Sequence, residues 1–134
     1  MVPHNDPSPS PAAAPSVLVV EDEVLVRTSV AEYLRACGYR VLEANDADEA
    51  ILILRSDGRI DIVFTDVQMP GSLDGFGLAQ WVRRERPEIR IIITSGVARV
   101  SKDAADLCEE GPLLAKPYDH RELERRIRWL LATR

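Results

Sequence analysis

Residues 17–20 read Val-Leu-Val-Val, and residues 21–23 that follow read Glu-Asp-Glu. Four aliphatic residues in a row, with no polar residue between them, fit a strand buried on both faces. That is the condition of a parallel sheet covered by helices on each side. Carboxylates placed directly after such a strand would stand together at its carboxyl end.

Outward from this stretch the chain repeats one alternation. Val24 to Cys37 sets Val24, Val26, Val30, Tyr33, Leu34 and Cys37 at roughly helical spacing, with Gly38 as a stop. Arg40 to Ala44 predicts a second strand. Asp46 or Asp48 can cap a helix running through Leu54, ended by Asp57-Gly58. Ile60 to Thr65 is a third aliphatic strand leading straight into Asp66. Pro70 to Gly75 reads as a loop, Phe76 to Arg84 as a helix, and Ile89 to Thr94 as a fourth strand. A weaker helix follows over Ser101 to Glu109, then a short fifth strand, Leu113 to Ala115. The last helix runs from about Asp119 to Ala132, with Leu123, Ile127, Leu130 and Leu131 on one side and arginines on the other. Five β–α units in a row predict an α/β, flavodoxin-like doubly wound five-stranded parallel sheet with helices on both faces.

Composition narrows the function classes. At 134 residues the chain holds one domain with a real core. Aromatics are 5%, so that core must be built from Val, Ile, Leu and Ala. A net charge of −5 argues against nucleic-acid binding by bulk electrostatics. No apolar run approaches ~20 residues, so no membrane span is expected, and the start lacks the basic and apolar regions of a secretory signal. Cys37 and Cys108 form no C-x-x-C pattern. They read as small packing residues in a reduced, cytoplasmic setting. Residues 1–15, MVPHNDPSPSPAAAP, carry five prolines and predict a passive disordered or polyproline-like tail ahead of a domain over 16–134.

In doubly wound sheets the chemistry gathers beyond the carboxyl ends of the strands. The residues there are Glu21-Asp22-Glu23, Asp66, Thr94-Ser95-Gly96 and Lys116-Pro117. Crowded carboxylates resist ionising unless a hard cation sits among them, and Mg²⁺ suits one or two carboxylates plus phosphate oxygens. An aspartate beside Mg²⁺ can attack a phosphoryl group, a lysine can face the phosphoryl oxygens, and Ser95 or Thr94 can donate to them. Each residue also has a plainer reading. Glu21-Asp22 could cap the first helix, Asp66 could begin a turn, Lys116 could be a solvated lysine, and Thr94-Ser95-Gly96 reads as a turn. Their fall on four strand ends, in the order the fold requires, favours the joint functional reading.

The segments VLVVEDE at 17–23, DIVFTDVQMP at 61–70, DG at 74–75, ITSG at 93–96 and AKPY at 115–118 together resemble the receiver domains of two-component response regulators. The resemblance covers residues 16–134. It implies that Asp66 is the phosphoacceptor, that Asp22 binds Mg²⁺ directly with Glu21 acting through water, and that the backbone carbonyl of Gln68 completes the metal site. Lys116 matches the family lysine and Ser95 the switch hydroxyl, with Thr94 the alternative. The implied partners are a sensor histidine kinase or histidine phosphotransfer protein and a downstream protein target, with homodimerisation left open. Three departures stand out: Glu21 replaces the more frequent aspartate, MPGSLDG carries one extra residue, and Leu113 stands where many receivers have an aromatic.

Because no output domain follows the last helix in this sequence, the expectation is a stand-alone regulator signalling by protein contacts or phosphorelay rather than an enzyme. An aspartyl-phosphate phosphatase often carries a second carboxylate two residues on, where this chain has Gln68. A binding-only pseudo-receiver would not need the acidic pair, Asp66 and Lys116 together. A flavodoxin-like cofactor binder would need a phosphate cradle where this chain has three acids.

Overall fold

A computed structural model describes residues 14–56, 58–96 and 113–133. In chain order the elements are β1 (Ser16–Val20), α1 (Val24–Ala36), β2 (Arg40–Ala44), α2 (Ala47–Ser56), β3 (Ile62–Asp66), α3 (Gly75–Glu85), β4 (Arg90–Ser95), β5 (Leu113–Ala115) and α4 (His120–Ala132). The strands form one sheet in the order β2-β1-β3-β4-β5, and each neighbouring pair is parallel. The predicted helix over Ser101 to Glu109 lies outside the described residues, as do residues 1–13 and Cys108.

Side chains that alternate along each strand build two cores. Leu18, Val20, Val63, Ile91 and Ile93 pack with Ala50, Leu54, Leu78 and Val82 of α2 and α3. Val17, Val19, Ile62, Phe64, Ile92 and Leu114 pack on the other face with Val30 and Leu34 of α1 and Leu123, Ile127 and Leu130 of α4. Each buried aliphatic of this kind contributes about 1.5–3 kcal/mol, which is why strands with no polar alternation are stable here. The apolar run of β1, buried at every position, is the clearest case.

The helix boundaries follow from capping. Asp46 Oδ1 accepts from the Glu49 amide at 2.9 Å, so Asp46 rather than Asp48 starts α2. Asp74 Oδ1 caps α3 through the Gly77 amide at 2.8 Å. Asp119 and Glu122 form a reciprocal capping box on α4. α1 has no side-chain cap at Glu23. Its buried face begins only at Val30, with Val24 and Val26 on the surface, contrary to the helical spacing read from the sequence. Cys37 is a second correction. It is exposed at the end of α1 and packs into neither core.

The DG pair has a steric reason. A Cβ on Gly75 would lie 2.2 Å from the Asp66 carbonyl oxygen and 2.8 Å from the Val67 Cα, and the Gly75 amide donates to the Val67 carbonyl at 2.8 Å. The start of α3 is thereby pressed against the backbone at the end of β3, at a distance that excludes any side chain. Gly75→Ala is expected to destabilise the domain by about 2 kcal/mol or more, since relief requires moving backbone. Chemical denaturation would check this, against Gly58→Ala as a control with open space around its Cβ.

Candidate functional site

The sheet register brings the predicted residues together. Val20 pairs with Thr65, Asp66 with Thr94, and Ser95 with Ala115. Glu21 therefore follows β1 level with Asp66, and Lys116 follows β5 one step beyond Ser95. By the two-residue alternation of a strand, Asp66 shares the α1–α4 face with Phe64 and Ile62. Lys116 reaches the same place: its Nζ lies 2.7 Å from Asp66 Oδ2. The other carboxylate oxygen, Oδ1, accepts from the Gln68 amide at 3.2 Å. Both oxygens of Asp66 are thus oriented, although the residue is only 7% exposed.

Glu21 is equally buried, at 7% exposure, and its Oε2 accepts from the Glu23 amide at 2.9 Å. Burial, followed by the neighbouring Asp66 and Asp22 carboxylates, pushes Glu21 up to about 7. Glu21 is thus a buried carboxyl crowded by its acidic neighbours, and α1 takes no side-chain cap. Asp22 stands half-buried at the mouth of an open cleft of about 560 Å³ lined also by Val67, Gln68, Met69, Pro70 and Asp74.

The two candidate hydroxyls differ sharply. Thr94 is buried and its Oγ1 donates to the Leu114 carbonyl at 2.8 Å, a bond that ties β4 to β5. Ser95, at the end of β4, is half-buried, and its carbonyl accepts from the Lys116 amide at 3.0 Å. Of the two, Ser95 stands at the rim beside Lys116.

The response regulator receiver domain family matches residues 17–128. The chain belongs to that family. Among curated relatives, a protein called probable transcriptional regulator ycf27, from Cyanophora paradoxa, is 38% identical over 117 residues, covering 86% of this chain and 47% of the relative. The chain spans about half the length of the ycf27 relatives it matches. Among solved structures, a response regulator receiver protein from Pseudomonas putida is 33% identical with a TM-score of 0.78, covering 87% of this chain and 97% of that one. The response regulator TrrA of Thermotoga maritima, solved in complex with Mg²⁺ and BeF, is 27% identical with a TM-score of 0.77, covering 87% and 98%. A receiver domain is a signalling module of phosphorylation-based two-component systems.

The residues of this receiver suit a hard divalent cation. Among the described residues no three His, Cys, Asp or Glu side chains are set to hold a metal on their own. Asp22 and Asp66 with a backbone carbonyl would offer the sparse oxygen set that Mg²⁺ accepts while keeping several waters. The burial and crowding that push Glu21 up are what a cation would relieve. No helix of the described residues is long and apolar enough to cross a membrane.

Sequence reasoning missed two participants. Tyr118, a plain aromatic in the AKPY segment, lies near the acids: its phenol is pushed up to about 12 by burial and then by Glu21 and Asp66. Asp74, the first residue of the DG pair, both caps α3 and lines the cleft.

Glu21→Gln tests the electrostatics. A carboxyl whose folded value is raised stabilises the fold fully below its ordinary value near 4.5, and that contribution is lost as pH rises through about 7. In chelator, the variant is expected to match wild type near pH 4.5 and to exceed it at pH 8 by about 1 kcal/mol. Thermal unfolding across that range would show the two curves diverging.

Proposed function

We propose that this receiver accepts a phosphoryl group on Asp66 from the phosphohistidine of a sensor kinase or phosphotransfer protein and signals as a stand-alone regulator. The observation that carries the reading is the 2.7 Å contact between Lys116 Nζ and Asp66 Oδ2, set at the strand ends beside a buried acidic residue. A structural ion pair in this position would have no use for Glu21, whose crowding costs stability. A site built to take up a cation and an anionic group would.

Asp22, Asp66 and the Gln68 carbonyl would hold Mg²⁺, with Glu21 reaching it through water. Bound there, Mg²⁺ would neutralise the phosphoryl oxygens and so permit approach to a carboxylate. A carboxylate oxygen of Asp66 attacks phosphorus, and the P–N bond to the donor imidazole breaks with its electron pair returning to nitrogen. Lys116 turns its ammonium from the carboxylate to the phosphoryl oxygens as charge moves outward. Ser95 donates its hydroxyl to a phosphoryl oxygen, which draws the end of β4 toward the site. Resetting is hydrolysis: water attacks phosphorus, the acyl P–O bond breaks, and Asp66 regains its carboxylate as inorganic phosphate leaves. Gln68 supplies no second carboxylate for this step, which fits a signalling lifetime better than a dedicated phosphatase.

The net charge of −5 supports a protein rather than a nucleic acid as the reader of the switch. Output through protein contact, or onward transfer to a second phosphotransfer protein, are the forms this signal takes.

Intact mass after incubation with acetyl phosphate and Mg²⁺ tests the proposal. Wild type should gain one phosphoryl group, chelator should abolish the gain, and Asp66→Asn should gain none. If wild type gains nothing from acetyl phosphate or from a phosphorylated phosphotransfer protein, the receiver is a binding-only module.

A further inference from the structure

The aromatic side chains of this receiver are few, yet the described ones that touch do so in a line. Phe64 of β3, buried, meets Tyr118 edge-on, with ring centroids 5.6 Å apart at 86°. Tyr118 lies 6.4 Å from the ring of His120, the first residue of α4. His120 in turn lies 5.3 Å from Tyr33, on α1. These are the ring–ring contacts among the described residues, and they form one continuous chain. Its inner end sits two residues before Asp66, and its outer end lies on the half-buried seam between α1 and α4.

We propose that Phe64, Tyr118, His120 and Tyr33 form an aromatic relay that carries the state of Asp66 to the α1–α4 seam, with Tyr118 as the moving part. The inference rests on the acceptor reading of Asp66 and adds the route by which that site is read.

Three features support it. Tyr118 follows Lys116 by two residues, so any shift of Lys116 from carboxylate to phosphoryl pulls on the backbone that carries the ring. The Tyr118 phenol already feels the Glu21 and Asp66 carboxylates, so a change of charge there alters its surroundings directly. Phosphorylation replaces the single charge of the Asp66 carboxylate by a phosphoryl group carrying about −1.5 to −2 at neutral pH, set farther out from the strand end, so both the charge and its position change beside the ring. Tyr118 packs against the α1–α4 core cluster together with Tyr33, whereas Leu113 of β5 is aliphatic and packs against the core on the opposite face. The rings therefore lead to α1 and α4, and not to β5.

The edge-to-face contact explains why such a ring can switch. Aromatic pairs of this kind are worth about 0.5–1.5 kcal/mol beyond their burial, enough to hold one arrangement and little enough to be exchanged when the local charge changes.

Aromatic-ring and amide NMR of the full chain, with Mg²⁺ and beryllofluoride as the phosphoryl mimic, decides the matter. In wild type the ring signals of Tyr33 and His120 should shift together with the Lys116 amide. Tyr118→Phe keeps the ring and should keep those shifts. Tyr118→Leu should reduce them at least threefold while the Lys116 amide still responds as in wild type. Should Tyr118→Leu fail to fold, His120→Asn serves: the Tyr33 response should vanish while that of Tyr118 persists. Shifts at Tyr33 that survive the loss of either intermediate ring overturn the relay, as does a wild type in which Lys116 responds and Tyr33 does not. A Lys116 amide that ignores the mimic overturns the acceptor reading itself, and the relay falls with it.

Discussion

Lys116 reaches Asp66 across a strand that belongs to neither of them. Asp66 ends β3, Lys116 follows β5, and β4 lies between. A carboxylate as buried as Asp66 demands a counter-charge, and the lysine meets that demand only if both ladders flanking β4 keep their register. The Thr94 hydroxyl, bonded to the Leu114 carbonyl, holds one of those ladders at the level of the site. A slip of one residue in either would turn the lysine to the opposite face of the sheet. The architecture of the domain and the geometry of its acid site are thus a single constraint.

The same constraint explains the packing around the site. Gly75 lets α3 approach the backbone of Asp66 and Val67 more closely than any side chain permits, and so fixes the loop that carries Gln68 and lines the cleft. That loop is where the additional residue of MPGSLDG is accommodated. Gly71 adopts a φ of +108°, and Ser72 donates to Asp48 of α2 at 3.1 Å. The loop thus lies at the surface against α2. α1, by contrast, leaves its first turn on the surface, with Leu25 85% exposed beside the acid cluster.

Much of this was legible in the chain because the signals were local. Aliphatic-rich runs marked the central strands to within two residues, since strands covered on both faces carry little polar alternation; β2, with Arg40 and Glu43, was marked only by its place in the alternation. The four strand ends named the acid site, because a parallel sheet places its carboxyl ends together whatever the loops do. Other features depended on contacts that sequence spacing does not encode. Asp46 and Asp48 are equivalent caps on paper, and only the Glu49 amide distinguishes them. Thr94 and Ser95 are adjacent hydroxyls, separated by burial and by a bond to a strand 20 residues away. Val24, Val26 and Cys37 fit a helical stripe, but the fully buried residues of α1 are Val30, Ala31 and Leu34. The ring contacts join residues 33, 64, 118 and 120, which no periodicity could connect.

The most direct test of the account is to trap the acyl phosphate and read its position. Borohydride reduces an acyl phosphate to the alcohol, so an aspartyl phosphate becomes homoserine. After reaction with acetyl phosphate and Mg²⁺, peptide sequencing by mass spectrometry should find homoserine at position 66, in place of Asp66, and nowhere else. Homoserine at position 22, or reduction with no residue converted, would contradict the claim that the lysine-bridged carboxylate at the end of β3 is the chemical centre of this receiver.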